Sequence, residues 1–418
     1  MFFRARLKSY RRSPLAPWAE IDWFLLLACV ALTVLGGIMI RSVEINQGLT
    51  DWWQHWITGG IGLILAMIIA RSNYERLIDW KWIVYIIVNL SLIAVQFIGT
   101  TALGAQRWIN IGGFHVQPSE FAKVGIIIVL AALLHEVKIP SIPDTIKMLI
   151  IAAVPWALVL IEPNLGTSLV FGMITLGMLY WGNVHPGWLI LLLSPICAAI
   201  LTTVYQPAGI IWAVAMGFVG WWSLPWRCVT GPLALGMNLG AGKLGDILWG
   251  FLQDYQKQRL IGFLNPEQDP LGAGYHLIQS RIAIGSGQLY GRGLYQGTQT
   301  QLDFIPEQHT DFIFSAIGEE LGFIGCIIVL AVFWIICLRL VIIAQTAKDS
   351  FGSLIAIGVL SMLIFQVFVN IGMNIGLAPV TGIPLPFLSY GRSALLSNFL
   401  AMGLVESVAN HRQRKRMF

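Results

Sequence analysis

Apolar runs of about twenty residues recur along almost the whole chain, and short polar or basic turns separate them. A helix of that length spans the hydrocarbon core of a bilayer, and in lipid only helices and closed barrels satisfy their own backbone hydrogen bonds. Charged residues make up 11% of the chain, too few to cover a water-facing surface. Because the runs lack the alternation of barrel strands, the sequence predicts an all-α polytopic membrane protein.

Most of the spans that these runs predict are easily delimited, and they cover residues 23–40, 56–70, 80–98, 121–134, 148–161, 165–181, 312–338, 354–377 and 395–408. Residues 189–205, 210–222 and 233–252 are apolar as well, but here the number of crossings is open. One crossing gives ten spans in total and three give twelve. Residues 253–310 carry no such run, so we predict one long loop within a single membrane domain of residues 1–418.

The location of the basic residues explains the formal net charge of +5. They cluster at the two ends of the chain: Arg4, Arg6, Lys8, Arg11 and Arg12, then Arg412, Arg414, Lys415 and Arg416. Short basic flanks beside apolar helices are typical of the cytoplasmic side of a membrane, so no nucleic-acid partner is predicted. Both termini are therefore predicted to be cytoplasmic, and the loop of residues 253–310 extracytoplasmic.

Two common kinds of chemistry are not indicated. The five cysteines have scattered spacings within or beside apolar segments, which is not typical of a zinc site or of a disulfide framework. No Walker motif and no soluble nucleotide-binding domain occur in the sequence, so ATP hydrolysis by this chain is not predicted.

Residues 303–325 (DFIPEQHTDFIFSAIGEELGFIG) join a polar approach to an apolar run, and Asp311 stands at the junction. On a helix that starts near Thr310, Asp311 shares one face with Ser315, Gly318 and Gly322. Such small residues allow another helix to come close, with the carboxylate at the end of the groove. An acid here also suits the plain role of capping the helix N-terminus, and spacing alone leaves both interpretations open.

Charges are costly inside a membrane helix, so each one is a candidate functional residue. Glu120 and Lys123 are i,i+3 neighbours at the start of a predicted span, and their plain role is an internal salt bridge. Arg107, in a polar glycine-rich loop, has the alternative role of an interfacial anchor. Arg259 and Arg281 lie in the long loop, where a solvated side chain is the default.

Four long blocks, in order along the chain, resemble the SEDS family (shape, elongation, division and sporulation proteins), specifically its RodA branch. They are residues 104–123 (GAQRWINIGGFHVQPSEFAK), 254–287 (DYQKQRLIGFLNPEQDPLGAGYHLIQSRIAIGSG), 297–325 (GTQTQLDFIPEQHTDFIFSAIGEELGFIG) and 370–393 (NIGMNIGLAPVTGIPLPFLSYGRS). The resemblance implies a ten-helix core, with an extra hairpin if there are twelve spans, in a bacterial cytoplasmic membrane. It also implies that the chain polymerises lipid II into glycan strands during cell elongation, beside a class B penicillin-binding protein that cross-links them.

The resemblance implies site residues as well. Asp311 matches the essential loop aspartate of the family, and Arg107, Glu120 and Lys123 match polar positions of its central cavity. Three features depart from the family pattern: Asn164 replaces the aspartate of QPDLGT, Arg392 replaces the second glycine of SYGGS, and the region around residues 205–243 is longer.

Lipid II is a disaccharide-peptide joined through pyrophosphate to a polyprenyl chain, and its polymerisation requires a base for the acceptor hydroxyl. A positioned carboxylate contributes about 10²–10⁴-fold as a general base, and Asp311 is our candidate. Arg107, Lys123, Arg259 and Arg281 are candidates for binding phosphate oxygens. A divalent cation that accompanies the pyrophosphate is compatible with this chemistry, but no cluster of ligands predicts a protein-bound metal.

Two other classes of protein share some of these features. A lipid II flippase or another transporter of lipid-linked saccharides also needs a polar cavity among many helices. A structural membrane scaffold is the third class.

The first testable prediction concerns topology. Single cysteines at Gln268 and Gln299, in a cysteine-free background, should react in intact cells with a membrane-impermeant thiol reagent. A cysteine at Gln413 should react only after the membrane is permeabilised. The opposite labelling pattern would overturn both the orientation and the extracytoplasmic site.

Overall fold

A computed structural model of the chain describes residues 21–45, 51–102, 105–137, 140–162, 164–224, 226–251, 257, 262–263, 274–302, 304–305 and 307–411. The first nine helices are α1 (Trp23–Glu44), α2 (Trp52–Arg71), α3 (Lys81–Ile98), α4 (Pro118–His135), α5 (Ile142–Ile161), α6 (Leu165–Trp181), α7 (Pro186–Val204), α8 (Gln206–Ser223) and α9 (Arg227–Phe251). Two short helices, α10 (Tyr275–Ser286) and α11 (Thr298–Gln301), precede the long helices α12 (Ile313–Thr346), α13 (Ser350–Ile375) and α14 (Arg392–Asn410).

The predicted fold class is confirmed, because eight of the helices within the described ranges are long and apolar enough to cross a membrane. Helix α6 has the predicted bounds and is a shorter apolar helix. Helix α14 is polar on several sides, yet it is almost wholly buried against α2 and so needs no lipid-facing apolar surface. Helix α4 is also enclosed, with α3, α6, α13 and α14 packed around it.

The glycine-rich loop that contains Arg107 folds into a small antiparallel sheet. Strands β1 (Thr100–Ala102), β2 (Ala105–Ile111) and β3 (Phe114–Val116) lie in that order. Gly112 and Gly113 connect β2 and β3 with φ angles of 60° and 84°, in the left-handed region that favours glycine. The glycines that suggested a plain loop are thus the turn of a hairpin.

The two ends of the helix bundle are distinguished by polar side-chain contacts between α1 and the α12 region. At one end, here called the Asp22 end, Arg339 of α12 pairs with Asp22 immediately before α1. At the opposite end, the Asp311 end, Nδ1 of His309 lies 3.0 Å from Oε1 of Glu44, the last residue of α1. Helices α1 and α12 are therefore antiparallel.

Helices α7, α8 and α9 form a three-helix unit with a small apolar core of its own, made by Leu191, Met216, Leu224 and Ala234. The Thr202 side chain of α7 lies beside Gly209 of α8 and Gly242 of α9, which shows how closely the three helices pack. Asn238 Nδ2 donates to Ser194 Oγ at 2.9 Å, a buried polar contact between α9 and α7. Of these three helices, α7 is among the eight that are long and apolar enough to cross a membrane.

Helix α12 is broken at Gly322, whose φ of 67° and ψ of −166° are not helical. The span predicted over residues 312–338 is confirmed, since α12 is long and apolar enough to cross a membrane, and the break at Gly322 divides it into two helical segments. Residues 288–293, which follow α10, bind both sides of the break. Arg292 and Gly293 donate backbone N–H groups to the carbonyls of Glu319 and Glu320, at 2.9 and 3.0 Å.

The other two hydrogen bonds at the break run in the opposite direction. Phe323 and Ile324 donate their N–H groups to the carbonyls of Gln288 and Leu289, at 2.9 and 3.2 Å. Because backbone groups freed by a break must be satisfied in a membrane protein, this exchange replaces the missing helical bonds. It also holds the turn after α10 against α12 at the break.

Gly322→Ala should destabilise the protein strongly. A Cβ at Gly322 would lie 2.2 Å from the Gly291 nitrogen and 2.7 Å from the Leu289 carbonyl oxygen, and a positive φ costs an L-residue about 1–2 kcal/mol by itself. The matched control is Gly60→Ala in α2, where a Cβ meets nothing within 4 Å. The measurement is thermal unfolding in detergent, and equal melting temperatures for the two variants would contradict the tight docking at the break.

Candidate functional site

Asp311 lies in a turn that leads into α12 and not, as the sequence analysis predicted, within the helix. Its backbone N–H donates to the Glu307 carbonyl at 3.1 Å, and the helix begins two residues later at Ile313. Near the helix start, the Ser315 N–H donates to Oδ1 of Asn374 at 3.1 Å. This N–H is thus capped from the neighbouring helix α13, which weakens the interpretation of Asp311 as a plain cap.

The Asp311 carbonyl oxygen is held by two side-chain amides of α13. Nδ2 of Asn370 donates to it at 3.0 Å, and Nδ2 of Asn374 donates to it at 3.1 Å. Both asparagines are fully buried. Their role was not predicted, although two amides at i and i+4 in an apolar helix indicate a buried polar contact of some kind.

Helix α10 brings Arg281 to the same corner. The hydroxyl of Ser280 donates to the Asn374 carbonyl at 2.8 Å, and Gly318 of α12 lets Ile284 of α10 approach closely. The Arg281 side chain lies against Gly376, the left-handed residue that ends α13. A cation is favourable at the C-terminal end of a helix, and the exposed guanidinium remains accessible to a ligand.

Glu120 and Lys123 are buried near the start of α4, where Nζ of Lys123 lies 2.7 Å from Oε2 of Glu120. The hydroxyl of Ser397, on α14, donates to the same carboxylate oxygen at 3.4 Å. The structure thus brings the two predicted residues together as an ion pair inside the bundle. That geometry suits both the internal salt bridge and the substrate-binding role left open by the sequence.

Arg107 connects the small sheet to the turn between α5 and α6. Its Nε donates to the carbonyl of Glu162 at 3.2 Å. The Arg107 side chain therefore links the sheet to this turn and is not only an interfacial anchor. The Glu162 carboxyl is buried without a hydrogen-bond partner in the described part of the chain. Burial raises the pKa of Glu162 to about 8, and the nearby charge of Arg107 opposes that rise.

Two buried acids of α12, Glu319 and Glu320, bind neighbouring elements. The Glu319 carboxylate accepts the N–H groups of Gln299 and Thr300, both at 2.8 Å, and so holds α11 against α12. Glu320, buried beside it, accepts a hydrogen bond from Ser42 of α1.

Both single-residue departures from the family pattern have a structural role. Asn164 caps α6, since its Oδ1 accepts the N–H of Thr167 at 3.2 Å, and this bond needs only an acceptor. Arg392, the first residue of α14, places its guanidinium 5.0 Å from the ring centre of Phe114. Arg259 lies outside the described residues.

The structure brings the Asp311 turn and α10, which carries Arg281, together at Asn374, whereas Arg107 is bonded to Glu162 and the buried Lys123 to Glu120. A carboxylate with an arginine nearby suits an anionic ligand beside a proton acceptor. Within the described ranges, no group of three or more His, Cys, Asp or Glu side chains is arranged to hold a metal ion.

Comparison with known proteins gives consistent matches along almost the whole chain. Residues 22–414 match the family model for FtsW, RodA and SpoVE, described as cell cycle protein. The peptidoglycan glycosyltransferase MrdB of Escherichia coli K12 is 36% identical over 396 residues, which cover 94% of this chain and 95% of that protein. The peptidoglycan glycosyltransferase RodA of Treponema pallidum is also 36% identical, with 94% and 98% covered.

Solved structures resemble the whole fold. A chain of a peptidoglycan synthase complex that coordinates polymerization and crosslinking superposes with a TM-score of 0.71 at 27% identity, covering 95% of this chain and all of that one. The rod shape determining protein RodA of Thermus thermophilus superposes with a TM-score of 0.60 at 24% identity, covering 95% and 99%. The second likeness concerns the fold alone.

Lys123→Met should harm folding more than the double change Lys123→Met with Glu120→Gln. The single change leaves a buried carboxylate without its partner, at a cost of roughly 3–5 kcal/mol, whereas the double change removes both charges. The measurement is thermal unfolding in detergent. Lys348→Met is the control, because its ion pair with Glu75 is solvent-exposed and should matter little.

The double variant distinguishes the two roles of the Glu120–Lys123 pair. If it folds normally but is inactive, the pair has a substrate role. If it recovers both stability and activity, the pair is only an internal salt bridge. Equal stability of the single and double variants would contradict the buried ion pair itself.

Proposed function

The chain belongs to the FtsW, RodA and SpoVE family of cell cycle proteins, and on that premise we propose that it is a RodA-type peptidoglycan glycosyltransferase. Its reaction is the polymerisation of lipid II into glycan strands during cell elongation. The observation that carries the proposal is the 36% identity to peptidoglycan glycosyltransferase MrdB over nearly the full length of both proteins. The geometry of the Asp311 end fits the same chemistry.

Asp311 is the general base in this proposal. Its carboxylate takes the proton from the acceptor hydroxyl while that oxygen attacks the anomeric carbon of the donor sugar. The bond between this carbon and the pyrophosphate oxygen breaks, the polyprenyl pyrophosphate leaves, and the anomeric configuration inverts. One base without a covalent intermediate suffices, and Asp311 is well placed because its backbone is tightly held while its side chain stays half-exposed.

The cations of the site stabilise the leaving pyrophosphate. Arg281 is the best placed of them, since α10 shares the Asn374 anchor with the Asp311 turn. Arg107 and Lys123 contribute positive charge from the sheet and from α4, and Arg259, outside the described residues, is a further candidate on the sequence alone. A divalent cation would arrive with the pyrophosphate, because the side chains at hand suit an anion better than a protein-held metal ion.

The chain is a multi-pass membrane protein like its bacterial relatives. We place it in the cytoplasmic membrane as a single membrane domain, residues 1–418, with both termini in the cytoplasm. Residues 253–310 and the Asp311 end then face outwards, where lipid II and the nascent glycan strand meet. A class B penicillin-binding protein is the expected partner, supported by the likeness to a chain of a synthase complex that couples polymerization with crosslinking.

Asp311→Asn tests the proposed base. Asparagine keeps the shape and the ability to cap a helix, but it cannot take a proton at neutral pH. We expect normal insertion into the membrane and a loss of about two orders of magnitude or more in glycan polymerisation. The measurement is glycan-strand product from lipid II, made by purified variants in detergent.

Glu307→Gln is the matched control, because Glu307 is an exposed carboxylate of the same turn to which we assign no proton transfer. A loss confined to Asp311→Asn would tie the chemistry to that residue. Equal losses in both variants would mean that the turn needs only negative charge. Near-wild-type polymerisation by Asp311→Asn would refute the base assignment.

A further inference from the structure

The two buried asparagines of α13 use nearly all of their hydrogen-bonding capacity on backbone groups around Asp311. Besides the Asp311 carbonyl, Nδ2 of Asn370 donates to the Ile383 carbonyl at 2.8 Å. Nδ2 of Asn374 donates to the Asn370 carbonyl at 2.8 Å, and its Oδ1 accepts the Ser315 N–H. A side-chain amide has two donor hydrogens, so each asparagine commits both of them to carbonyl oxygens.

The side-chain amides join two separate parts of the chain to α13. The Asp311 turn and the start of α12 are held through the Asp311 carbonyl and the Ser315 N–H, and the segment after α13 is held through the Ile383 carbonyl. Helix α10 reaches the same place through a backbone group, since the Ser280 hydroxyl donates to the backbone carbonyl of Asn374 at 2.8 Å. Arg281, the next residue of α10, is a candidate phosphate-binding cation.

An anchor of this kind has a physical purpose in a turn that precedes a helix. The turn lacks the regular bonds of a helix, and a carbonyl left without a donor in a buried site destabilises the fold. Two donors on one carbonyl satisfy both of its lone pairs and fix the peptide plane. Because the Asp311 side chain leaves from that residue, its position relative to α13 is fixed as well.

We propose that Asn370 and Asn374 are positioning residues that hold the Asp311 carboxylate in the geometry of the reaction. This inference rests on the proposed function, in which Asp311 is the base. It adds two residues of a different helix to the active site. Neither asparagine needs to touch the substrate.

Asn370→Ala and Asn374→Ala should lower kcat for glycan polymerisation by about 10–100-fold, because a base displaced by about 1 Å loses that much rate. The KM for lipid II should change little, since binding through the cations and the apolar tail persists. Asn370→Ala keeps the bond between Asn374 and Ser315, so it remains decisive if Asn374→Ala fails to fold.

Gln366→Ala is the matched control. Gln366 is a buried amide one turn earlier on the same helix, and its Oε1 has no hydrogen-bond partner in the described residues. Its removal should leave kcat near the wild-type value. Melting temperatures of all variants, measured in the same detergent, separate a general loss of folding from a specific loss of rate.

The decisive readout is whether the effect depends on Asp311. In an Asp311→Asn background the base is already gone, so Asn370→Ala should reduce the residual rate no further. A purely structural asparagine would lower the rate by the same factor in both backgrounds, and that result would overturn the inference.

Different results would contradict the positioning role and the proposed function. Normal polymerisation by Asn370→Ala and Asn374→Ala, with Asp311→Asn inactive, overturns only the positioning role. Normal polymerisation by Asp311→Asn refutes the base itself, and the positioning role falls with it. A loss of kcat that vanishes in the Asp311→Asn background supports both.

Discussion

The break of α12 at Gly322 is the constraint on which the Asp311 end of the molecule depends. A continuous helix would carry residues 313–321 straight on along the axis of the spanning part. With the break, this segment takes its own direction and packs against α10, while the turn after α10 forms four backbone hydrogen bonds with the two carbonyls and two N–H groups that the break leaves free. The small residues of α12 serve this contact, since a Cβ at Gly318 would press on Ile284 and one at Gly322 on the Gly291 backbone.

Around that break, buried polar groups join neighbouring elements through direct contacts. Glu319 holds α11, Glu320 contacts α1, His309 pairs with Glu44, and the asparagines of α13 hold the Asp311 turn. Each contact joins a different pair of elements. The Asp311 side chain thus stays half-exposed on its turn, while the peptide that carries it is held by buried hydrogen bonds.

The sequence predicted the parts of this arrangement that depend on local pattern. Apolar runs located the helices, and α6 has the predicted bounds, because a lipid-facing helix must be apolar over its whole length. The i,i+3 spacing of Glu120 and Lys123 predicted their pairing for the same local reason. The break at Gly322 was not predictable, since a glycine in an apolar run also fits an unbroken helix. The roles of Asn370 and Asn374 depend on partners about 60 residues earlier in the chain, which no local pattern shows.

The central claim is that this chain alone forms glycosidic bonds, and the purified wild-type protein tests it most directly. It should be incubated with lipid II in detergent, without a second protein and without a closed compartment. We expect lipid II to be consumed and glycan strands of increasing length to accumulate. Unchanged lipid II in detergent, together with movement of lipid II across the bilayer by the same preparation in vesicles, would contradict it and identify a transporter.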